Sequence, residues 1–371
     1  MFQAWMKWLK PILVSSLCSF LFVATLFLTG CNSQEEKVQA KTLPAVPPGG
    51  VLLHGAGATF PSLLYKNWFA AYQQKHPETV IVYDAVGSGE GIRRFTKTNV
   101  TPEDIVDFGA SDAAMTDEQI AKVPDGAMLI PMTAGAVAVA YNLPNFNGEL
   151  KLSRVALAGI FSGEITNWND PRIAKANPGV KFPDLTIATI VRQDSSGTTF
   201  AFTKHLDSIS ESWRKKFGPV TLVNWPGNAL RAKGNEGVAA KIQQTQGSLG
   251  YVGFEFAHQL GLPVASLENR EGKFVAPSAT SAKASLATIQ LPENLRAFVP
   301  DPTGEGSYPI VTMSWILIYR NYADPKKTES LKNLFSWCAG EGQQDAMRLG
   351  YIPLPENVAS KSVAALQTLR Q

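Results

Sequence analysis

From Val51 onward the chain alternates short apolar runs with amphipathic segments. VIVYDAV (80–86), IVDFGAS (105–111), LTIATIV (185–191) and SLGYVGF (248–254) have the length and β-branched content of strands. LLYKNWFAAYQQ (63–74) places Leu64, Trp68 and Tyr72 four residues apart, which predicts one buried helical face. Thr116, with Gln119 three residues later, predicts a capping box opening the helix DEQIAKV (117–123). EGVAAKIQQTQG (236–247) ends on glycine, as helices often do. Strand and helix alternate without a visible repeat, which predicts an α/β fold with largely parallel sheets. Two longer apolar runs, MTAGAVAVAYN (132–142) and YPIVTMSWILIY (308–319), stand apart. They read either as ordinary buried strands or as two crossings between lobes, the first lobe being 51–141 with 309–371 and the second 142–308.

The hydropathy pattern changes at the N-terminus. Lys7 and Lys10 precede PILVSSLCSFLFVATLFLTG, which carries no charge from Pro11 to Gly30. That run is long enough to span a bilayer. Its end, Leu28-Thr29-Gly30-Cys31, instead resembles a bacterial lipobox, so residues 1–30 are expected to be a signal peptide and Cys31 the lipidation site. Asn32 leaves the membrane leaflet open. Residues 31–50, polar and then rich in Pro and Gly, read as a tether.

Composition adds exclusions. The chain is 45% hydrophobic and 18% charged, ordinary values for a globular protein of 371 residues. With Cys18 in the leader and Cys31 lipidated, Cys338 is the remaining thiol, so no disulfide is expected. His54, His76, His205 and His258 are scattered, no zinc spacing occurs, and no metal or cofactor is expected. These histidines are expected at the surface or as satisfied structural residues. Loss of Lys7 and Lys10 leaves 32 basic against 31 acidic residues, a net charge of +1. There is no basic block, so nucleic acid is not an expected partner.

Three stretches place small polar residues where a helix is predicted to begin: GAGATFPSLL (55–64), VGSGEGIRRF (86–95) and DSSGTTFAF (194–202). Pro61 suits the first turn of a helix, which puts Thr59 and Phe60 at its start. A helix start leaves N–H groups free and adds partial positive charge, so such places suit phosphate, sulfate or carboxylate. Each could equally be a cap and a turn. Enzyme motifs fail on the same loops. Phe60 and Ile92 occupy the third-glycine positions of a dinucleotide fingerprint, and neither GxxxxGK[ST] nor GxSxG occurs. Ser196 and His205 could meet in space, but their spacing does not require it.

Asp194 is the puzzling residue of the third loop, because a carboxylate opposes anion binding. If the strand continues through it, Arg192 and Asp194 share a face. Asp194 would then hold the guanidinium ready for an anion without touching that anion. A surface ion pair is the plainer alternative.

Taken together, GAGATFP, VGSGEG, DFGASDAAM, VRQDSSGTTFAFT, KGNEGVAA and GSLGYV resemble, in order and spacing, the periplasmic phosphate-binding proteins of bacterial high-affinity phosphate ABC transporters. The match runs from Val51 to the C-terminus. The resemblance implies a two-lobed periplasmic-binding-protein fold of type II-like topology, with mixed sheets flanked by helices and a hinge of two crossing strands. It implies a phosphate site at Thr59, Phe60, Ser88, Asp112, Arg192, Asp194, Ser196, Gly197 and Thr198. Thr59, Ser88, Ser196 and Thr198 would supply hydroxyls, Phe60 and Gly197 backbone N–H groups, and Arg192 the full positive charge. Asp112 would accept the proton that phosphate retains and sulfate lacks. Two residues depart from the family pattern: Glu90 in GSGEG and Ser195 in DSSGT. The implied function is non-enzymatic capture of inorganic phosphate in the periplasm and delivery to the transmembrane subunits of an ABC permease, by a monomer held to the membrane through lipid on Cys31. Arsenate shares the shape and protonation of phosphate and stays open as a second ligand. The alternatives are a phosphate sensor or storage lipoprotein, and, behind it, a phosphate-ester hydrolase.

Overall fold

The computed structural model describes residues 43–287, 289 and 291–370. The expected signal peptide and Cys31 lie outside the described residues. Among the described residues eleven strands follow in chain order. They are β1 (Val51–Gly57), β2 (Thr79–Ala85), β3 (Phe108–Ser111), β4 (Ala127–Asn142), β5 (Lys151–Leu152) and β6 (Ala188–Arg192). Then come β7 (Leu230–Ala232), β8 (Ser248–Gly253), β9 (Ser266–Glu268), β10 (Phe274–Val275) and β11 (Val311–Tyr319). Eight of them form one sheet in the order β2-β1-β3-β11-β4-β8-β6-β7, and β10-β9-β5 form a small second sheet.

The large sheet is parallel at its two ends and antiparallel at its centre. β1 pairs in parallel with β2 and β3, and β6 with β7 and β8. The two long apolar runs are the antiparallel strands: β11 against β3 and β4, and β4 against β8. The prediction of largely parallel pairing therefore holds for the flanks only. Helical crossovers, which enforce parallel pairing, connect the shorter strands, whereas β11 returns from far along the chain.

β4 joins the two flanks. Ala127–Ala136 pairs with β11, and Val137–Asn142 pairs with β8. All but the last of its sixteen residues are buried, as its uninterrupted apolar run requires. Ser314 pairs with Thr133 and Trp315 with Pro131, so Met132 is an extra residue on β4. That bulge accommodates a proline inside a central strand, where it cannot donate to the ladder.

The helices follow their sequence signals closely. Helix Ser62–Lys75 buries Leu64, Trp68 and Tyr72. Pro61 is its N-cap rather than its first residue. The Thr116 capping box is present at helix Asp117–Ala121. Helix Gly234–Gln244 stops three residues before Gly247, whose φ of 74° turns the chain into β8. In the core, Trp68, Trp168, Trp213 and Trp315 are fully buried. Among the described residues no helix is long and apolar enough to cross a membrane.

Candidate anion-binding site

Five strands of the large sheet deliver their C-terminal ends to one buried place. β1 leads to Thr59, β2 to Ser88, β3 to Asp112, β6 to Arg192 and Asp194, and β7 to Asn235. Crevices beyond the carboxyl ends of parallel strands are the usual ligand positions of such sheets. Helices begin there at Ser62, Ser88, Gly197 and Gly234. Each start carries partial positive charge, and Gly197 N, Gly234 N and Asn235 N meet Ser88 Oγ, Asp194 Oδ1 and Thr59 Oγ1.

The hydroxyls share one property. Ser88 Oγ accepts from the Asp112 N–H at 3.2 Å and the Gly197 N–H at 3.0 Å. Thr59 Oγ1 accepts from Asn235 N at 3.2 Å and Asn235 Nδ2 at 2.9 Å. A hydroxyl has two lone pairs and one proton. With both lone pairs engaged, Ser88 and Thr59 have only a proton left to offer. Thr198 Oγ1 accepts from Asn235 Nδ2 at 3.2 Å, and Ser196 Oγ caps its helix by accepting from Thr199 N at 3.1 Å. These contacts bias the cluster toward donation, which suits an oxyanion. The Gly197 N–H, expected to face a ligand, is placed on Ser88 Oγ.

Arg192 is 2% exposed and supplies the cluster's full positive charge. Its Nε donates to Asp194 Oδ1 at 2.9 Å, and its Nη2 to Asp194 Oδ2. Nη1 is buried and meets no hydrogen-bond partner among the described residues. Asp194 Oδ1 also accepts from Gly234 N at 3.0 Å. Burial alone would raise the Asp194 carboxyl, but the bonds from Arg192 and Gly234 outweigh it and hold the group below the usual carboxylate range. Behind the pair, Tyr251 Oη accepts from Arg192 N at 3.3 Å and shares a 2.7 Å bond with Thr199 Oγ1. A buried guanidinium with one side fixed and one edge open is arranged for a second anion.

Asp112 is 1% exposed. Burial pushes its carboxyl up to about 7, against the Ser314 hydrogen bond, the Arg192 charge and Ser88. Ser314 Oγ donates to Asp112 Oδ1 at 2.7 Å. The antiparallel register explains the contact: Trp315 pairs with Ser111, so Ser314 falls beside Asp112. A carboxyl poised near neutrality can share a proton with a partially protonated oxyanion.

Packing fixes the remaining positions. A Cβ on Gly197 would stand 2.5 Å from Asp112 Cβ, so this helix approaches β3 as only glycine allows. Gly234 adopts φ +70° and lies under Thr59, where a Cβ would come within 3.3 Å of Thr59 Cγ2. Phe60 is fully buried, and its carbonyl accepts from Tyr351 Oη at 2.6 Å. Each expected site residue is thus at the cluster or in its wall. The sequence reading missed Asn235 and Ser314. Asn235 lay inside the quoted KGNEGVAA, at a predicted helix start, which was a usable signal. Ser314 lay inside an apolar run and carried none.

The two departures from the family pattern turn away from the centre. Glu90 accepts from Arg93 Nε and Nη2 at 2.7 Å and from Arg94 Nε at 2.8 Å. The Arg93 bonds first, with those of Arg94, hold it at about 2. Ser195 Oγ donates to Thr221 Oγ1 at 2.9 Å. His205 departs from expectation. It is buried, neither ring nitrogen has a partner among the described residues, and burial pushes it down to about 3. It is therefore neutral and makes no dyad with Ser196, whose oxygen serves the helix cap.

Comparison with known proteins follows the same lines. Residues 33–341 match the model of the PBP superfamily domain. The phosphate-binding protein PstS of Methanocaldococcus jannaschii is 33% identical, over 98% of this chain and 97% of that protein. The phosphate-binding protein PstS of Xylella fastidiosa (strain Temecula1) is 36% identical, over 90% of this chain and 92% of that protein. Among solved structures, the high-affinity periplasmic phosphate-binding protein PfluDING, bound with phosphate, superposes with a TM-score of 0.70. It is 21% identical over 85% of this chain and 93% of its own, so it attests the fold.

Proposed function

We propose, on the premise that this chain belongs to the PBP superfamily and within it to the PstS phosphate-binding proteins, that it binds inorganic phosphate for import by an ABC permease. It is a binding protein and not an enzyme. The buried Arg192 guanidinium, tied to Asp194 with Nη1 open, carries the reading.

The proposed site is Thr59, Phe60, Ser88, Asp112, Arg192, Asp194, Ser196, Gly197 and Thr198, supported by Asn235 and Ser314. Arg192 neutralises the anion, the hydroxyls donate to its oxygens, and Asp112 takes part in the one hydrogen bond that sulfate cannot make. Release of Gly197 N from Ser88 Oγ would add a backbone donor. About 8 kcal/mol of net binding energy corresponds to micromolar affinity, so only part of the gross hydrogen-bond energy needs to survive desolvation.

The proposed lobes are 51–141 with 309–371, and 142–308, with β4 and β11 as the connecting strands. β4 supports this division because it pairs with one flank over its first ten residues and with the other over its last six. Closure of such lobes around phosphate is what a permease can sense. The proposed setting is the periplasm, with the chain acting as a monomer anchored by lipid on Cys31, and arsenate as a competing ligand.

Calorimetry with phosphate and sulfate on the wild-type chain and on Asp112→Asn tests the reading. Wild type is expected to bind phosphate at micromolar or tighter affinity and sulfate far more weakly. Asp112→Asn is expected to lose most of that preference. Equal affinity of the wild type for both anions would refute the role of Asp112, and failure to bind phosphate would refute the function.

A further inference from the structure

Residues 291–299 form neither helix nor strand, yet three of their side chains or carbonyls are held. Leu295 is buried with φ 56°, and its carbonyl accepts from the Trp315 indole Nε1 at 2.8 Å. Arg296 Nη1 donates to the Met115 carbonyl at 2.8 Å, and its Nη2 donates to Asp117. The Arg296 backbone N–H donates to Asn294 Oδ1 at 3.1 Å, which closes a local turn. Phe298 packs on Trp315 with ring centroids 5.7 Å apart and on Phe200 at 5.2 Å. Lys204 Nζ stands over both phenyl rings, 5.2 Å from Phe298 and 5.5 Å from Phe200.

These partners come from both sides of the anion cluster. Met115 follows Asp112 by three residues, and Trp315 follows Ser314, the donor to Asp112. Phe200 lies one turn into helix Gly197–Ile209, whose start carries Ser196, Gly197 and Thr198. A recess of about 520 Å³ is bordered by Gly89 and Ala113 on one side, by Ser195 and Thr221 on the other, and by Arg296 and Phe298. Gly89 N donates to Ser195 O at 3.0 Å, so the two walls of this recess touch. Residues 292–299 therefore form a strap across the mouth of the cleft, joined to both proposed lobes.

The two joints differ in strength. The strap meets Met115, Asp117 and Trp315 through three hydrogen bonds, two of them from a guanidinium and the third to a buried residue. The ion pair to Asp117 alone would contribute little, because Asp117 is exposed. The carbonyl bonds add the rest. The strap meets Phe200 through one edge-on ring contact and a shared cation, which is the weaker joint. If the lobes part, the rings of Phe298 and Phe200 separate first. The strap then stays with 51–141, although its sequence lies within 142–308.

We propose that Arg296 is a positioning residue for phosphate retention: it pins the strap to the Met115 side so that Phe298 clasps Phe200, and the parting of those two rings governs release. This rests on the phosphate reading and the lobe division above. Arg296 never touches the anion. It holds Phe298 in place before Phe200 arrives, so the clasp forms without further ordering of the strap. Capture precedes that ring contact and release must undo it, so the clasp acts on the dissociation rate.

The test is rapid-mixing release of radiolabelled inorganic phosphate from the full chain into excess unlabelled phosphate. Calorimetry supplies Kd, and the two together give the association rate. Phe298→Ala is expected to release phosphate about tenfold faster, the scale of an aromatic pair. Arg296→Ala is expected to do the same, with association within about threefold of wild type in both. The double variant is expected to release no faster than Phe298→Ala, because one residue acts through the other. Lys204→Met, which keeps the stem and removes the charge over the rings, is expected to speed release about two- to fivefold. Wild-type release from the Phe298 and Arg296 variants would overturn the proposal and leave phosphate binding intact. So would a double variant whose effects multiply, or a loss of affinity carried by association. Absence of phosphate binding by the wild type would instead overturn the reading on which the proposal rests. Should Arg296→Ala not fold, Lys204→Met and Phe298→Ala decide: faster release from both supports the clasp, and wild-type release from either overturns it.

Discussion

Arg192 and Asp194 lie two residues apart and meet through Nε and Nη2, so the guanidinium reaches the site with one edge already spoken for. The carboxylate costs the site a negative charge and gives it a fixed orientation. Asp194→Asn keeps the shape and removes the charge. Phosphate binding is expected to weaken by about 1.5–3 kcal/mol, the value of a charge-assisted bond. Tighter binding by the variant in calorimetry would mean that repulsion outweighs positioning.

Asp112 makes the stability of the ligand-free chain depend on pH. Its folded value of about 7 lies above its ordinary value of 3.8. A raised carboxyl contributes stability that is complete below the unfolded-chain value, declines as pH rises, and is gone once pH passes the folded value. Between pH 5 and 8 the wild type is expected to lose on the order of 3 kcal/mol from this source, and Asp112→Asn to lose none of it. Urea unfolding of both chains at the two pH values, without phosphate, checks this.

Asn235 joins Thr59, Thr198 and Gly253 from one side chain and its own N–H. Asn235→Ala leaves those groups buried and unmatched. The expected costs are about 2–4 kcal/mol in folding stability and a measurable loss of phosphate affinity. Unchanged values in denaturation and calorimetry would show that the hydroxyls orient themselves unaided.

Glu90 is absorbed by Arg93 and Arg94 on its own helix. Glu90→Gln is therefore expected to change phosphate affinity by less than about fivefold, the scale of a partly exposed ion pair. A large gain in affinity on titration would place this carboxylate in the electrostatics of the site after all.

Local chemistry was legible in the sequence and long-range pairing was not. The helix starts near Thr59, Ser88 and Gly197 carried their signals in small polar residues beside glycine, and β2 and β6 carried theirs in β-branched runs, whereas β3 is FGAS without a β-branched residue. The i, i+2 spacing of Arg192 and Asp194 suggested their contact, although β6 ends at Arg192 and Asp194 lies in the bend after it. The antiparallel centre of the sheet depends on β11 inserting between β3 and β4, a choice made by packing across some two hundred residues. Ser314 shows the limit most clearly. Its meaning comes from standing beside Asp112, 202 residues away, and nothing in VTMSWILIY marks one serine as belonging to a polar site. The His205 ring, without a partner among the described residues, was hidden for a similar reason, since it lies on a helix whose sequence does not reveal what covers it.

The contacts that build the cluster also span great lengths of chain: 109 residues between Ser88 and Gly197, and 176 between Thr59 and Asn235. A nascent or partly folded polypeptide holds these pieces apart and so has no affinity for the ion. Binding at the proposed site therefore needs segments as far apart as Thr59 and Tyr351, which holds the Phe60 carbonyl, to be assembled together. Phosphate thus selects the finished molecule and shifts the folding equilibrium toward it, by about 2.7 kcal/mol at a hundredfold excess over Kd. A cell short of phosphate would lack that support, and its newly made copies would rest on their own packing until the first ion arrives.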